Sequence, residues 1–211
     1  MSGPHDKLIA NTAKQILGSL GFRQKGRSRT WIADHGWWLT VVEFQPSNWN
    51  KGCYLNVAVH FLWLDQGHIT FDYGKRVSTF VEYESDKQFE PEVKHLALLA
   101  AQEARSLEGR FSSIGATANE LDVHQAKLGL GSWATYHAGM ALALCGRLDE
   151  AKAMFRLVQD ARVHSAVARI QPYLNDHIAI CRKAEELIAR QRSSLNLSSK
   201  DECLLPSDID R

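Results

Sequence analysis

No stretch of this chain approaches the ~20 consecutive apolar residues that a membrane-crossing helix requires, so no helical membrane span and no membrane partner are expected. The start, MSGPHDKLIANTAKQ, lacks the basic-then-apolar order of a secretory leader. Cys53, Cys145, Cys181 and Cys203 lie far apart, with neither a CxxC pair nor a ligand-like spacing to histidine. That argues against a disulfide framework and a zinc site, and it predicts reduced thiols in a cytoplasmic protein. Catalytic signatures are missing too: there is no HExxH, GxSxG, Walker loop or GxGxxG. The chain is therefore expected to hold no metal and no cofactor, and no catalytic residue is named; an enzymatic role stays open and is not favoured. A surplus of one charge is also lacking. With 25 Lys and Arg against 24 Asp and Glu the net charge is +1, unlike the clear basicity of dedicated nucleic-acid domains.

What is present is enough for a sizeable core. Of 211 residues, 45% are apolar and 23% charged, and a globule of this length buries about 70% of its unfolded surface. Residues 6–20 place Leu8, Ile9, Thr12, Ile16, Leu17 and Leu20 along a helical stripe that Gly21 can stop. FRQKGRSRTWIAD then alternates, and Asp34–Gly36 marks a hairpin turn. WWLTVVEFQ and CYLNVAVHFLWL are the strongest strand signals, rich in β-branched and aromatic residues. ITFDY and RVSTFVEYE add one or two further strands. From Phe89, with Pro91 near the first helical turn, the period becomes helical, with Val93, Leu96, Ala100, Ala104 and Leu107 on one stripe. The expected fold is α+β: an N-terminal helix, a small antiparallel sheet of four or five strands, and a helical region of four or five helices. The expected divisions are 1–108, 109–193 and a tail 194–211 without periodicity, with 109–120 as linker. In the helical region, Gly139, Ala141, Leu142, Gly146, Asp149, Glu150, Ala151 and Phe155 resemble a single tetratricopeptide-type hairpin, and no second copy follows at that repeat's period. Two more helices, about 160–170 and 172–192 with Pro172 opening the second, complete either a layer over the sheet or a separate bundle.

Pairing the two strong strands with Phe44 opposite Tyr54 sets Trp38 opposite His60. One face then carries Trp37, Leu39, Val41, Leu55, Val57, Val59, Phe61 and Trp63 and forms the core. The other carries Trp38, Thr40, Phe44, Tyr54, Asn56 and His60, an aromatic-polar mixture facing solvent, a partner or covering helices. A slip of one residue would exchange the faces of one strand. Between the strands, QPSNWNKG is rich in groups that bond their own backbone and predicts an ordered turn. There Trp49 is expected to fold back over the end of the core; the alternative lays it over the aromatic-polar face, where it borders a binding groove.

The order of these segments resembles a bacterial family, domain of unknown function 4304, over about residues 5–105. The residues that carry the likeness are Gly21, Phe22 and Lys25 after the first helix, Trp31 before the first turn, Gln45 with Ser47, and Tyr54 with Asn56. Pro46 departs from the pattern and suggests a bulge or sheet edge. The resemblance implies the fold and carries no activity.

Two function classes remain, with a third as an outlier. The leading expectation is a non-enzymatic protein that binds another protein, accessory or immunity-like, through Trp38, Phe44, Trp49, Tyr54, Asn56 and His60 or through the helical hairpin. The alternative is nucleic-acid or phosphate binding by Arg23, Lys25, Arg27 and Arg29, whose i, i+2 spacing aims cations to one side of a strand; a solvated edge strand explains the same residues. An enzyme using His60 and Glu43 would need both side chains in one concavity.

Overall fold

The computed structural model describes residues 3–128, 131–199 and 204. Helix α1, Pro4–Leu17, begins with the proline at a position where its missing N–H costs nothing. Asp6 closes the start by accepting from the Gly3 N–H at 2.7 Å, and Ile9, Ala13 and Leu17 form the buried stripe. A 3-10 turn over Gly18–Leu20 follows, and Gly21, at φ 83°, ends it in the left-handed conformation expected of that glycine.

Six strands form one antiparallel sheet: β1 Arg23–Gln24, β2 Thr30–Asp34, β3 Trp38–Gln45, β4 Gly52–Phe61, β5 Tyr73–Arg76 and β6 Val81–Glu82. Their order is β1-β2-β3-β4-β5, with β6 also paired to β4. The β2–β3 hairpin sets Ile32 opposite Val41 and Asp34 opposite Leu39, and it turns at Asp34–Gly36 as expected. Two strand expectations are corrected. The alternating run 22–33 is not one strand, because Gly26, at φ 58°, turns the chain back and Lys25 N–H donates to Thr30 C=O at 2.9 Å. ITFDY contributes only its last residue, β5 beginning at Tyr73.

The pairing of β3 with β4 is slipped by an odd number of residues from the expected one. Asn56 Nδ2 donates to Glu43 Oε2 and to Gln45 Oε1, each at 2.9 Å. Side chains alternate across a strand, so even positions of β4 share a face with odd positions of β3. Trp38, Thr40, Val42 and Phe44 therefore lie with Leu55, Val57 and Val59, and all seven are buried. Trp37 precedes β3 and is half-buried. Towards its other end the second face is covered as well, since Leu39, Val41, Ala58 and His60 are fully buried.

The remaining helices are α2 Asp86–Arg110, α3 Ile114–Leu128, α4 Trp133–Leu144, α5 Leu148–Arg156, α6 Ala161–Ile170 and α7 His177–Ser194. The expected stripe of α2 is buried throughout, but the helix starts at Asp86, ahead of Pro91, and the carbonyl of the preceding Ser85 accepts from Phe89 N–H at 2.9 Å. Pro91 therefore stands inside the helix. The expected linker 109–120 shrinks to Phe111–Ser113. Ser113 Oγ accepts from Ala116 N–H at 3.1 Å and starts α3 at once, and Phe111 is buried. Pro172 lies in a 3-10 turn, while Asp176 caps α7 by accepting from the N–H groups of Ile178 and Ala179. In the α4–α5 pair, Gly139 lets the helices close in, since a Cβ there would stand 2.6 Å from the Phe155 ring.

The chain divides into two compact units: Met1–His60 with Tyr73–Glu108, and Phe61–Asp72 with Gly109–Arg211. Within the second, Gln191 Oε1 accepts from the N–H groups of Gln66 and Gly67, and its Nε2 donates to His68 C=O at 3.0 Å. Of the expected tail, Ser198 C=O accepts from Arg192 Nε at 3.0 Å; residues 200–203, Cys203 among them, and 205–211 lie outside the described residues.

A glycine pair tests the sheet. Gly74, at φ 147°, would drive a Cβ to 2.4 Å from Val57 C=O, whereas Gly109 has open space around it. Gly74→Ala is expected to lower stability by about 2 kcal/mol or more through backbone strain and the lost β4–β5 pairing. Gly109→Ala should be neutral or slightly stabilising. Chemical denaturation of both variants checks this, and equal midpoints would refute the close approach.

Candidate functional site

The 46–51 connection between β3 and β4 is an ordered turn, as its composition predicts. Ser47 Oγ accepts from Trp49 N–H at 3.1 Å and from Asn50 N–H at 3.5 Å. Trp49 does not fold back. Its side chain is 92% exposed, which overturns the expectation that it caps the core. The end of the core is closed without it, because Phe44 and Cys53 are both fully buried. Burial also pushes the Cys53 thiol up to about 11, against a small pull from Arg29, so it has little thiolate with which to react.

Beside this loop, the outward face of the β3–β4 hairpin carries a connected polar group. Asn56 binds Glu43 and Gln45 as described; Arg76 on β5, opposite Asn56, donates from Nη2 to Gln45 Oε1 at 2.8 Å. The Arg76 guanidinium also lies 3.9 Å from the centroid of the Tyr54 ring, a cation–π contact, and Tyr54 meets Phe80 at 5.0 Å. Of the six aromatic and polar residues expected to share a face, the structure brings together Tyr54 and Asn56, with Trp49 on the adjoining loop. It removes Trp38 and Phe44 to the buried side. His60 lies on the same side as Asn56 but is fully buried, four residues along β4 and hence about 13 Å away. Glu43, bound to Asn56, makes no dyad with it.

The four cations do not line one strand. Arg23 sits on β1 opposite Ile32, Lys25 follows it, and Arg27 occupies the turn around Gly26. Arg29 is held elsewhere: its Nε donates to Asp6 Oδ1 at 2.7 Å, its Nη2 also meets that oxygen, and its Nη1 donates to Gly52 C=O at 2.8 Å. The physical reason is Gly26, which converts a run of alternating residues into a hairpin and scatters the i, i+2 set.

Sequence reading missed a buried polar chain in the second unit. Trp63 Nε1–H donates to His137 Nδ1 at 3.0 Å, so the neutral imidazole carries its proton on Nε2, which faces Asp72 Oδ1 at 3.6 Å. Asp72 in turn accepts from Phe61 N–H at 2.8 Å and from Thr70 Oγ1 at 2.7 Å. Phe61 stacks on Trp63 at 4.6 Å and meets Phe111 edge-on. His137 is fully buried and ties segment 61–72 to α4. The only signal was a lone histidine in an apolar helix, which by itself does not name a partner 65 positions upstream.

For Asp6, burial alone would raise the carboxyl, but the Gly3 N–H and Arg29 outweigh it and hold it below its ordinary value. A carboxyl lowered on folding contributes stability above its unfolded pKa, and that contribution fades as pH falls through the folded value. Asp6→Asn should therefore destabilise the protein at neutral pH, and the deficit should narrow below about pH 4. Denaturant midpoints of both proteins across pH 2.5–7, roughly the carboxylate range, measure this; a deficit independent of pH would show that the charge is not responsible.

Comparison with known proteins adds no chemistry to this geometry. No curated protein and no solved structure matches the chain. Residues 13–113 match the model of the family described as Domain of unknown function (DUF4304). That span takes in the last five residues of α1, all six strands and α2, and over it the chain is similar to this family of domains of unknown function.

Proposed function

We propose that this protein acts without catalysis, by binding another protein through the Trp49 loop, with the Tyr54, Asn56 and Arg76 face as the polar surround. One observation carries the reading: an indole 92% exposed on a turn that its own Ser47 hydroxyl holds in place. Covering about 200 Å² of indole would contribute about 5 kcal/mol. The turn is already ordered, so little of that is lost in fixing it on contact. Tryptophan surrounded by satisfied polar groups is the usual make-up of the few side chains that dominate a protein interface. The polar surround is likewise pre-set, because Arg76, Gln45, Asn56 and Glu43 hold one another.

The α4–α5 pair, read as a tetratricopeptide-like hairpin on the Gly139–Phe155 contact, is the second surface we infer for such a binder. A cytoplasmic, accessory or immunity-like role is the setting we infer, from the family resemblance and the want of a catalytic motif in the sequence. Nucleic-acid binding loses its main support once Arg29 is committed to Asp6 and Gly52.

The test is affinity capture from cells of the source organism, followed by titration of the captured protein against wild type and Trp49→Ala. Trp49→Ala should keep its stability within about 0.5 kcal/mol and weaken binding about 30-fold or more. Undiminished binding would overturn the proposal. So would capture of nucleic acid alone, with affinity falling steeply as salt rises.

A further inference from the structure

Independently of the Trp49 surface, we propose that the second unit binds a short aliphatic monocarboxylate in the cleft between α5 and α6. The cleft encloses about 320 Å³, at the small end of the roughly 300–1,000 Å³ of small-molecule sites, so it suits one short chain. All of its lining comes from α5, α6 and the turn that follows, within the one unit. Phe155 and Leu174, both buried, close its inner end. Phe155 is fixed there, because its ring lies against Gly139 and 5.9 Å from the Tyr136 ring. The apolar surface that a ligand reaches lies further out. It consists of Val167, which is only half-buried, and the methylene stems of Lys152 and Arg156.

The charge of the lining decides the ligand's sign and size. Lys152 and Arg156 stand four residues apart on α5 and so share one face of it, and no Asp or Glu is among the lining residues. Lys152 Nζ donates to Asp149 Oδ1 at 3.2 Å, but the Asp149 side chain is 99% exposed, and a pair so open to water is weak. Arg156 is exposed and has no ion-pair partner among the described residues. Counting Asp149 at the margin, one positive charge is left over, which matches a singly charged head. The turn after α6 adds the side-chain amides of Gln171 and Asn175, both exposed and without a hydrogen bond among the described residues. That turn is ordered, since Leu174 N–H donates to Gln171 C=O at 3.3 Å. A carboxylate between the two cations would be bound by charge-assisted hydrogen bonds, with amide N–H groups as further donors, while its aliphatic chain lies along Val167.

The Val167 methyl groups and the side-chain NH₂ groups of Gln171 and Asn175 are the reporters, followed by NMR in the full-length protein. Wild type is titrated with 4-methylpentanoate, with neutral 4-methylpentanamide and with acetate. A saturable displacement of the reporter signals is expected with 4-methylpentanoate, at millimolar affinity or tighter. The amide lacks the charge and acetate lacks the chain, and each should bind about 10-fold more weakly or worse. Lys152→Gln with Arg156→Gln should weaken 4-methylpentanoate by a similar factor, equivalent to about 1.4 kcal/mol. If the doubly substituted protein does not fold, Arg156→Gln alone, which breaks no ion pair among the described residues, should still cost about 3-fold or more. No saturable change up to about 10 mM 4-methylpentanoate would overturn the proposal. Equal binding of the amide or of acetate, or unaltered binding by the substituted protein, would do the same.

Discussion

The amide of Asn56 sets the parity of the sheet. By donating to both Glu43 and Gln45 it places the odd residues of β3 and the even residues of β4 on one side, and each side chain of the hairpin then has its address. Trp38, Val42 and Phe44 enter the core with Leu55, Val57 and Val59. Tyr54 is left where Arg76 can lie over its ring. A one-residue change of register would bury the polar set without partners, at a cost of about 1–3 kcal/mol for each unmatched group. The polar network and the apolar core thus specify the same pairing, and that agreement gives a sheet a single register.

The elements most legible in the sequence were those with a strong period. The apolar stripe of α1, its Gly21 stop, the buried row of α2 and the runs of β3 and β4 all stand where their patterns put them. Parity was not legible, and the reason lies in β3 itself. Leu39 and Val41 are as apolar as Trp38, Val42 and Phe44, and all five are buried. Alternation cannot choose a face when both are hydrophobic; only the long-range pairing of Asn56 does. Element boundaries failed for a related reason. Gly109, Ser112, Ser113 and Gly115 have the composition of a linker, yet Ser113 uses its hydroxyl to cap α3. Composition does not distinguish a serine that starts a helix from one that separates two.

Of the candidate site, the ordered turn was foreseen and the direction of Trp49 was not. The energy of burying an indole favoured a folded-back ring, but that energy is available only where space remains, and Phe44 and Cys53 close the end of the core. The cations at 23–29 failed because a single glycine turned the chain between them. Their dispersal had a second effect that spacing alone does not show: Arg29 went to Asp6, and Arg27 was left exposed on the turn.

The interleaving of the chain bears on what can be studied in isolation. Segment 61–72 leaves the sheet between β4 and β5, and it is packed with residues from 109 onward. Phe61 meets the Phe111 ring, Trp63 donates to His137, and Asp72 faces the same imidazole. A recombinant piece cut to the family-matching span 13–113 would keep this twelve-residue excursion and lose the helix that satisfies it. The Trp63 indole N–H would lose its acceptor and have to be rehydrated, and the stacked rings would become a greasy outcrop prone to self-association. The boundary of the homologous region and the boundary of an autonomously folding piece are, in this protein, different places.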